Sequence, residues 1–128
     1  MTLKINSHHI LAWNNKGYCL ARLERHEEAI HCFDQALALD SRNANAWYNK
    51  GNSLYSLGRC EDAIHCYDQA LALDPRFADA CFNKADTQDQ LGRRQDAIRF
   101  YRKFLALGSP KTQQIEYARQ RINSLEGA

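Results

Sequence analysis

The chain repeats itself at an interval of 34 residues. Residues 10–43 and 44–77 agree at 21 of 34 aligned positions, and residues 78–111 agree with 44–77 at 14 of 34. The run AIHCFDQALALD that begins at Ala29 returns as AIHCYDQALALD at Ala63. A fixed period of this length is typical of solenoids, in which each unit buries its apolar faces by stacking on its neighbours.

Each repeat carries two apolar stripes with the spacing of a helix. In the middle copy, Trp47 and Leu54 belong to the first stripe, and Ile64 and Tyr67 belong to the second. Apolar residues three and four positions apart lie on one face of a helix. Gly58 separates the stripes, where a helix commonly ends in a left-handed residue. The pattern predicts an all-α fold, with helices over residues 9–23, 26–39, 44–57, 60–73, 78–91, 94–107 and about 110–125.

One position breaks the glycine pattern between the paired helices. Glu24 stands in the first repeat where Gly58 and Gly92 stand in the second and third. We expect the same left-handed backbone at Glu24, at a cost of about 1 kcal/mol for a residue with a side chain.

The recurring positions resemble the tetratricopeptide repeat. In the middle copy the resemblance rests on Trp47, Gly51, Leu54, Ala63, Tyr67, Ala70 and Pro75, and in the first copy on Trp13, Gly17, Leu20, Ala29, Phe33 and Ala36. The third copy departs from the pattern at Cys81, Ala85, Gln88 and Phe104. The resemblance implies a right-handed α-solenoid that binds proteins.

The resemblance also divides the chain into units. It implies three helix-turn-helix repeats and a C-terminal capping helix, at residues 10–43, 44–77, 78–109 and 110–128. Ser109 and Pro110 are expected to begin that last helix as its N-cap and first residue. Residues 1–9 share their apolar spacing with the end of the following repeat, which predicts a remnant of a preceding repeat or an N-terminal extension.

Composition excludes several classes of function. The net charge is only +2 and a quarter of the residues are charged, so the sequence predicts no nucleic-acid partner, which needs a concentrated basic face. No apolar run has the length of a membrane span, so no membrane partner is expected. The five cysteines are odd in number and form no Cys-x-x-Cys motif, which predicts a reducing compartment, the cytoplasm.

Motifs for chemistry are missing from the sequence. It contains no nucleophile elbow, phosphate-binding loop or zinc-protease motif. The His31-Cys32 and His65-Cys66 pairs cannot converge on one metal ion, because neighbouring repeats are separated by about 10 Å. We therefore expect no enzymatic activity, no cofactor and no metal site.

The resemblance places the first helix of each pair on the concave surface of the solenoid. Asparagine recurs there, and its amide can donate to and accept from a peptide backbone of any sequence. Tyrosine and phenylalanine beside it supply apolar contact area at low entropic cost. These residues form the predicted peptide-binding site: Asn15, Tyr18, Tyr48, Asn49, Asn52, Tyr55, Phe82, Asn83 and Asp86. The alternative is that the asparagines only tolerate exposure or bond the next repeat.

The charges on this face predict the kind of partner. The third repeat places Asp79, Asp86 and Asp89 on its inner helix without a cation, so we expect a neutral to basic segment with apolar anchors. A subset of the family binds C-terminal carboxylates of chaperones through Lys, Asn and Arg at set positions. Those positions hold Asn14, Tyr18, Asn49, Asp79 and Asn83, of which Asn49 alone matches, so this mode of binding is not expected.

A lysine also recurs in every repeat, at Lys16, Lys50 and Lys84. A basic ladder could bind phosphate. We favour a structural role, in which the aliphatic stem is partly buried and the ammonium reaches an aspartate such as Asp34 or Asp68.

The leading hypothesis is thus a non-enzymatic scaffold that binds a partner segment in its concave groove. One alternative is a self-assembling module that forms a homo-oligomer through its N-terminal edge, where Ile10 and Leu11 could be exposed. Another is a regulatory domain of a larger enzyme.

The stripes predict where the stability lies. Replacing Trp47 by alanine should lower the free energy of unfolding by about 3–5 kcal/mol, the range for truncating a large aromatic residue in a core. Urea denaturation of both proteins measures the difference. A loss below about 1 kcal/mol would show that the register of the first stripe is wrong.

Overall fold

The computed structural model describes the backbone from Leu3 to Gly127. These residues form seven helices and no strand. They are α1 (Leu3–Arg22), α2 (His26–Leu39), α3 (Ala44–Ser56), α4 (Cys60–Leu73), α5 (Ala78–Gln90), α6 (Arg94–Ala106) and α7 (Thr112–Gly127). The three antiparallel pairs α1–α2, α3–α4 and α5–α6 stack in chain order, and α7 packs on α6. The all-α solenoid expected from the repeat is confirmed.

Two helices begin at a different residue from the one predicted, and the predicted helix ends differ from the observed ones by at most two residues. Helix α1 begins at Leu3, so residues 3–9 continue into it as one helix where the apolar spacing predicted the end of a separate one. Helix α7 begins at Thr112, and the prediction that Ser109 is its N-cap is wrong. Ser109 Oγ accepts a bond from the Lys111 amide at 3.2 Å, and the first helical bond runs from the Ile115 amide to the Lys111 carbonyl.

The turn inside each repeat has the expected left-handed residue. Gly58 has φ 79°, Gly92 has φ 77°, and Glu24 has φ 62°. The hydrogen bonds of the turn are the same with glutamate as with glycine. The Arg25 amide bonds the Leu20 carbonyl at 2.9 Å, and the equivalent Arg59 amide bonds Leu54 at 2.9 Å. These bonds satisfy carbonyls that the helix end leaves free, which maintains the turn despite the strain at Glu24.

The helices of a pair meet where an aromatic ring packs on a glycine. A Cβ added to Gly51 would lie 2.7 Å from Cε1 of Tyr67, and one added to Gly17 would lie 2.6 Å from Cε1 of Phe33. Both rings are fully buried. Because no side chain separates ring and backbone, the two helices approach closely along the whole pair.

Successive repeats are joined by the recurring lysines. Lys50 Nζ lies 2.7 Å from Asp34 Oδ1 on the helix before it, and Lys84 forms the same ion pair with Asp68. The structural role predicted for these two lysines is confirmed. Trp47 lies beside the first pair, where its indole Nε1 donates to the Ser41 carbonyl at 2.9 Å.

The C-terminal helix completes the core of the third repeat. Ala118 and Ile122 of α7 are buried against Phe104 and Tyr101 of α6, and Ile115 and Leu125 pack beside them. No helix between residues 3 and 127 is long and apolar enough to cross a membrane.

The close contact at Gly51 gives a stability prediction. Gly51→Ala should lower the free energy of unfolding by about 1–3 kcal/mol, because Tyr67 must move to admit the new methyl group. Thermal and urea denaturation measure the change. Ser56→Ala, on an exposed position of the same helix, should change stability by less than about 0.5 kcal/mol.

The third repeat already carries alanine at this position, where Ala85 and Tyr101 share the core. The helices of a pair can therefore lie far enough apart to accommodate an alanine. The predicted loss of stability in Gly51→Ala reflects the cost of moving Tyr67 and α4 away from α3. A Gly51→Ala protein as stable as the Ser56→Ala control would contradict the prediction.

Candidate functional site

The first helices of the three pairs line one side of the solenoid. Helix α1 approaches α3, and α3 approaches α5, so their side chains form a continuous inner face. This face contains two clefts. The N-terminal cleft, between α1 and α3, has a volume of about 590 Å³, and the central cleft, between α3 and α5, about 230 Å³.

The N-terminal cleft contains three of the predicted site residues, Asn15, Tyr18 and Asn49. Half of the Tyr18 surface is exposed, and Asn15 is exposed beside it. Six lining residues were missing from the predicted site: Ile10, Leu11, Asn14, Asp40, Asn43 and Asn45. Asn14 could have been found, since it aligns with the predicted Tyr48 and Phe82. Asp40 and Asn43 come from the connection before α3, and Asn45 comes from the first turn of α3, positions that the predicted set of inner-helix residues did not include.

An unsatisfied polar atom marks this cleft. The amide oxygen of Asn14 is buried and accepts no hydrogen bond from the described residues. A buried acceptor without a donor typically costs about 1–3 kcal/mol. Because this oxygen has no exposed surface, a ligand such as a peptide N–H would satisfy it only after the Asn14 side chain turns toward the cleft that the residue lines.

The central cleft is different because its asparagines bond each other. Asn83 Nδ2 donates to Asn52 Oδ1 at 2.8 Å and to the Tyr48 hydroxyl at 3.1 Å. The Tyr67 hydroxyl also donates to Asn52 Oδ1, at 2.7 Å. Burial raises the pKa of both tyrosines, so they remain neutral donors and acceptors. Asn52 and Asn83 thus bond between repeats, which is the alternative that the sequence left open.

A carboxylate lies at the C-terminal end of this cleft. Tyr55 donates its hydroxyl to Asp86 Oδ2 at 3.1 Å, and Tyr117 of α7 donates to Oδ1 at 3.4 Å. Burial raises the pKa of the Asp86 carboxyl above its ordinary value, although both hydroxyls oppose the shift. Burial, followed by the Asp86 charge, raises the pKa of Tyr55 to about 12.

Helix α7 covers the inner face of the third repeat. Lys111 Nζ lies 2.9 Å from both carboxylate oxygens of Asp79. Arg121 binds Asp89 through two bonds, of 2.7 Å and 2.9 Å. The acidity predicted for this end of the groove is therefore largely neutralised, because Lys111, just before α7, and Arg121 of α7 pair with two of its three aspartates.

The predicted aromatic residues also lie against other rings. The centroid of Phe82 is 5.1 Å from that of Phe104 and 5.8 Å from that of Tyr117, so α7 shields it on the groove side. Tyr48 packs on Phe77 at 4.8 Å. The nine predicted residues consequently divide into two sets. Those in the N-terminal cleft are open to a ligand, and the others bond or pack within the protein.

The histidine–cysteine pairs face elsewhere. His31 lies edge-to-face on Trp13 at 6.1 Å, and His65 lies in the same way on Trp47. Within residues 8–127, no three His, Cys, Asp or Glu side chains come close enough to hold a metal ion together.

Comparison with known proteins identifies the family. Two models of the tetratricopeptide repeat match the chain, at residues 9–76 and 48–111. The first spans more than half of the sequence, and the chain belongs to the tetratricopeptide repeat family. A search of the curated proteins found no significant match.

Solved structures share the fold. The first tetratricopeptide domain of Spaghetti (RPAP3), bound to the HSP90 peptide SRMEEVD, is similar with a TM-score of 0.86 and 20% identity, over 94% of this chain and 95% of that one. The Yersinia enterocolitica type III secretion chaperone SycD, in complex with a peptide of the translocator YopD, has a TM-score of 0.89 and 17% identity, over 95% of each chain. MamA has a TM-score of 0.84 and 24% identity, over 98% of this chain and 72% of that one.

The Asp89–Arg121 pair predicts a pH dependence of stability. The hydrogen bonds from Arg121 hold the pKa of the Asp89 carboxyl below its ordinary value. The pair therefore stabilises the fold above the ordinary pKa of about 4, and the contribution is lost as the pH falls through the lower, folded value. Asp89→Asn should reduce the free energy of unfolding by about 1–3 kcal/mol at pH 7.

Urea titrations of both proteins between pH 7 and about pH 3 test the sign. The difference between wild type and Asp89→Asn should shrink as the pH falls below about 4. Asp96→Asn is the matched control, because Asp96 pairs with Arg99 on the exposed surface, where an ion pair contributes about 0–1 kcal/mol. A difference that stays constant with pH would show that the carboxylate charge is not what stabilises the α7 contact.

Proposed function

We propose that the protein is a non-enzymatic interaction module that binds a segment of a partner protein in the groove formed by α1, α3 and α5. The observation that carries the proposal is the N-terminal cleft, where, among the described residues, the buried Asn14 oxygen has no donor and Asn15 and Asn49 do not bond each other. Amides in such a cleft can hold an extended backbone without reading its sequence. The peptides bound by the similar RPAP3 and SycD domains support this use of the fold.

The nine predicted site residues take two roles in this proposal. Asn15, Tyr18 and Asn49 contact the ligand directly, with Asn14 beside them. The remaining residues hold the groove in shape and form its C-terminal end. They are Tyr48, Asn52, Tyr55, Phe82, Asn83 and Asp86.

The proposed ligand is neutral to basic and carries one or two apolar anchors. Ile10, Leu11 and Tyr18 offer the apolar surface, and Asp40 is the acidic residue that lines the N-terminal cleft. We expect the charge preference to be small, because α7 pairs Asp79 and Asp89.

The acidic C-terminal peptides bound by RPAP3 are not the proposed ligand. Such carboxylates need cations on the inner helices. Here Asp79 occupies one of the positions where that binding mode uses a cation, and Asn83 occupies another, already bonded to Tyr48 and Asn52.

We place this activity in the cytoplasm, and the five free cysteines between residues 8 and 127 support a reducing compartment. Self-assembly through the N-terminal edge is the second candidate, favoured by Leu11, which is 59% exposed. A role as a regulatory domain of a larger enzyme would use the same groove.

A peptide display screen against the purified chain tests the proposal. Asn15→Ala combined with Asn49→Ala should weaken the selected peptides by roughly ten- to thirtyfold, since each removed hydrogen bond contributes about 1 kcal/mol. Asn123→Ala, exposed on α7, is the control and should bind as the wild type does. Both variants should keep the wild-type melting temperature.

Three outcomes would contradict the proposal. One is a set of selected peptides that bind both variants equally. Another is selection of acidic C-terminal peptides. The third is a stable dimer in sedimentation that excludes every peptide, which would favour self-assembly.

A further inference from the structure

The three repeats differ in what lies behind their first helix. Helix α2 packs on α3, and α4 packs on α5, in each case against the face turned toward the start of the chain. Among the described residues, no helix packs on the equivalent face of α1. We call this the α1 face and define it by Ala12, Lys16, Cys19, Leu20 and Leu23.

Side-chain exposure shows that the equivalent face is covered in the second and third repeats. Ala46 and Ala80 are fully buried, whereas the equivalent Ala12 is exposed. Leu57 and Leu91 are 37% and 38% exposed.

The remaining positions follow the same trend. Leu23, the equivalent of Leu57, is 66% exposed. Cys19 is exposed, whereas Ser53 at its position is buried and lies 3.2 Å from His26 Nδ1 of the preceding helix.

The clefts beside the repeats identify the missing wall. The cleft in the second repeat, of about 330 Å³, is lined by Lys50, Leu54, His65 and Cys66 together with Ile30 and Asp34 of α2. The cleft in the first repeat, of about 290 Å³, has the equivalent residues Lys16, Leu20, His31 and Cys32. The cleft in the first repeat has no counterpart of Ile30 and Asp34, which α2 supplies to the cleft in the second repeat.

Lys16 already has the conformation of the paired lysine. Its ammonium lies 5.7 Å from the centre of the Trp13 ring, and that of Lys50 lies 5.8 Å from Trp47. No described carboxylate is within ion-pair distance of Lys16. Glu28 lies in the same cleft, but it is held by two short bonds from Arg25.

We infer that the α1 face docks an amphipathic helix of another protein, which carries Ile or Leu and, four residues later, Asp or Glu. The apolar residue would pack on Leu20 as Ile30 packs on Leu54, and the carboxylate would pair with Lys16 as Asp34 pairs with Lys50. This surface is separate from the groove, because it lies on the side of α1 that faces away from α3.

A second copy of the chain does not supply this helix. Within the described helices, Ile30–Asp34 and Ile64–Asp68 already pack on α3 and α5, and Phe82–Asp86 is covered by Tyr117. The last pair of this spacing is Ile122–Glu126, in which Ile122 is buried and Glu126 bonds Arg102. None of the described helices of a second copy is therefore free to complete the α1 face.

A peptide made from α2 is the probe, since α2 covers the equivalent face of α3. It comprises residues 26–42, stapled on the side away from Ile30 and Asp34 because short helices are marginal in water. Cys32→Ser and Phe33→Lys within the peptide remove its thiol and keep its other face polar. The reporter is alkylation of Cys19 in the full chain, with the partly buried Cys60 as internal reference.

In the free monomer we expect Cys19 to react readily, and the peptide to slow its alkylation at least about threefold without affecting Cys60. Asp34→Lys in the peptide should weaken binding by about threefold or more, the upper part of the range for a surface ion pair. Lys16→Glu in the protein should bind the Asp34→Lys peptide and lose the unaltered one. Arg119→Glu, an equal charge reversal on α7, should leave both affinities unchanged.

The Asn15→Ala, Asn49→Ala protein should bind the α2 peptide as the wild type does, so failure of the groove proposal and of this one can be distinguished. Several results would overturn the inference. Two concern the chain without peptide: slow alkylation of Cys19 in the monomer, and formation of a dimer that slows it. The other two concern the peptide: an affinity that is unchanged by Lys16→Glu, and alkylation of Cys19 that is not slowed at millimolar peptide.

Discussion

The contact between an aromatic ring and a glycine controls more than the packing of a helix pair. The Tyr67 ring lies on Gly51, and this position lets its hydroxyl pass through the core to Asn52 on the inner face. The core and the groove of the second repeat are therefore connected by one side chain. In the first repeat the ring on Gly17 belongs to Phe33, which has no hydroxyl. Phe33 therefore sends no hydroxyl toward the N-terminal cleft, and Asn15 and Asn49 do not bond each other there. The N-terminal cleft is thus open, while the central cleft is closed by hydrogen bonds, and this difference follows from Phe33 in the first repeat and Tyr67 in the second.

The helix pairs, the left-handed Glu24 and the Lys–Asp contacts could be predicted because each follows from one repeat and its nearest neighbour. A period of 34 residues states which residues are equivalent, and Lys50 with Asp34 occurs again as Lys84 with Asp68. The start of α7 was predicted two residues too early, because Ser109 and Pro110 match a helix N-terminus in composition while the chain uses them in the turn. Local chemistry does not distinguish these two uses.

The candidate site was predicted less completely for a physical reason. The inner helices meet each other with a separation of 31 or 32 residues, as Asn52 meets Asn83 and Tyr55 meets Asp86. The contacts of α7 have the same separation, since Lys111 meets Asp79 and Arg121 meets Asp89. Helix α7 therefore occupies the place of the first helix of a fourth unit. Its sequence does not continue the repeat, so periodicity alone did not reveal that it would neutralise the aspartates of the third repeat.

The two open surfaces lie on different faces of one helix and adjoin where Asn15 and Cys19, four residues apart, are neighbours. Asn15 and Tyr18 of α1 face the N-terminal cleft, while Lys16 and Cys19 lie on the α1 face. Successive residues on a helix point about 100° apart, so Asn15 and Lys16 belong to different surfaces although they are adjacent in sequence. In the second repeat the corresponding helix is fixed on both sides, by α2 behind it and by α5 beside it. Among the described residues, helix α1 packs on α2 and α3, so the α1 face is the side of this helix that the described fold leaves without a neighbouring helix.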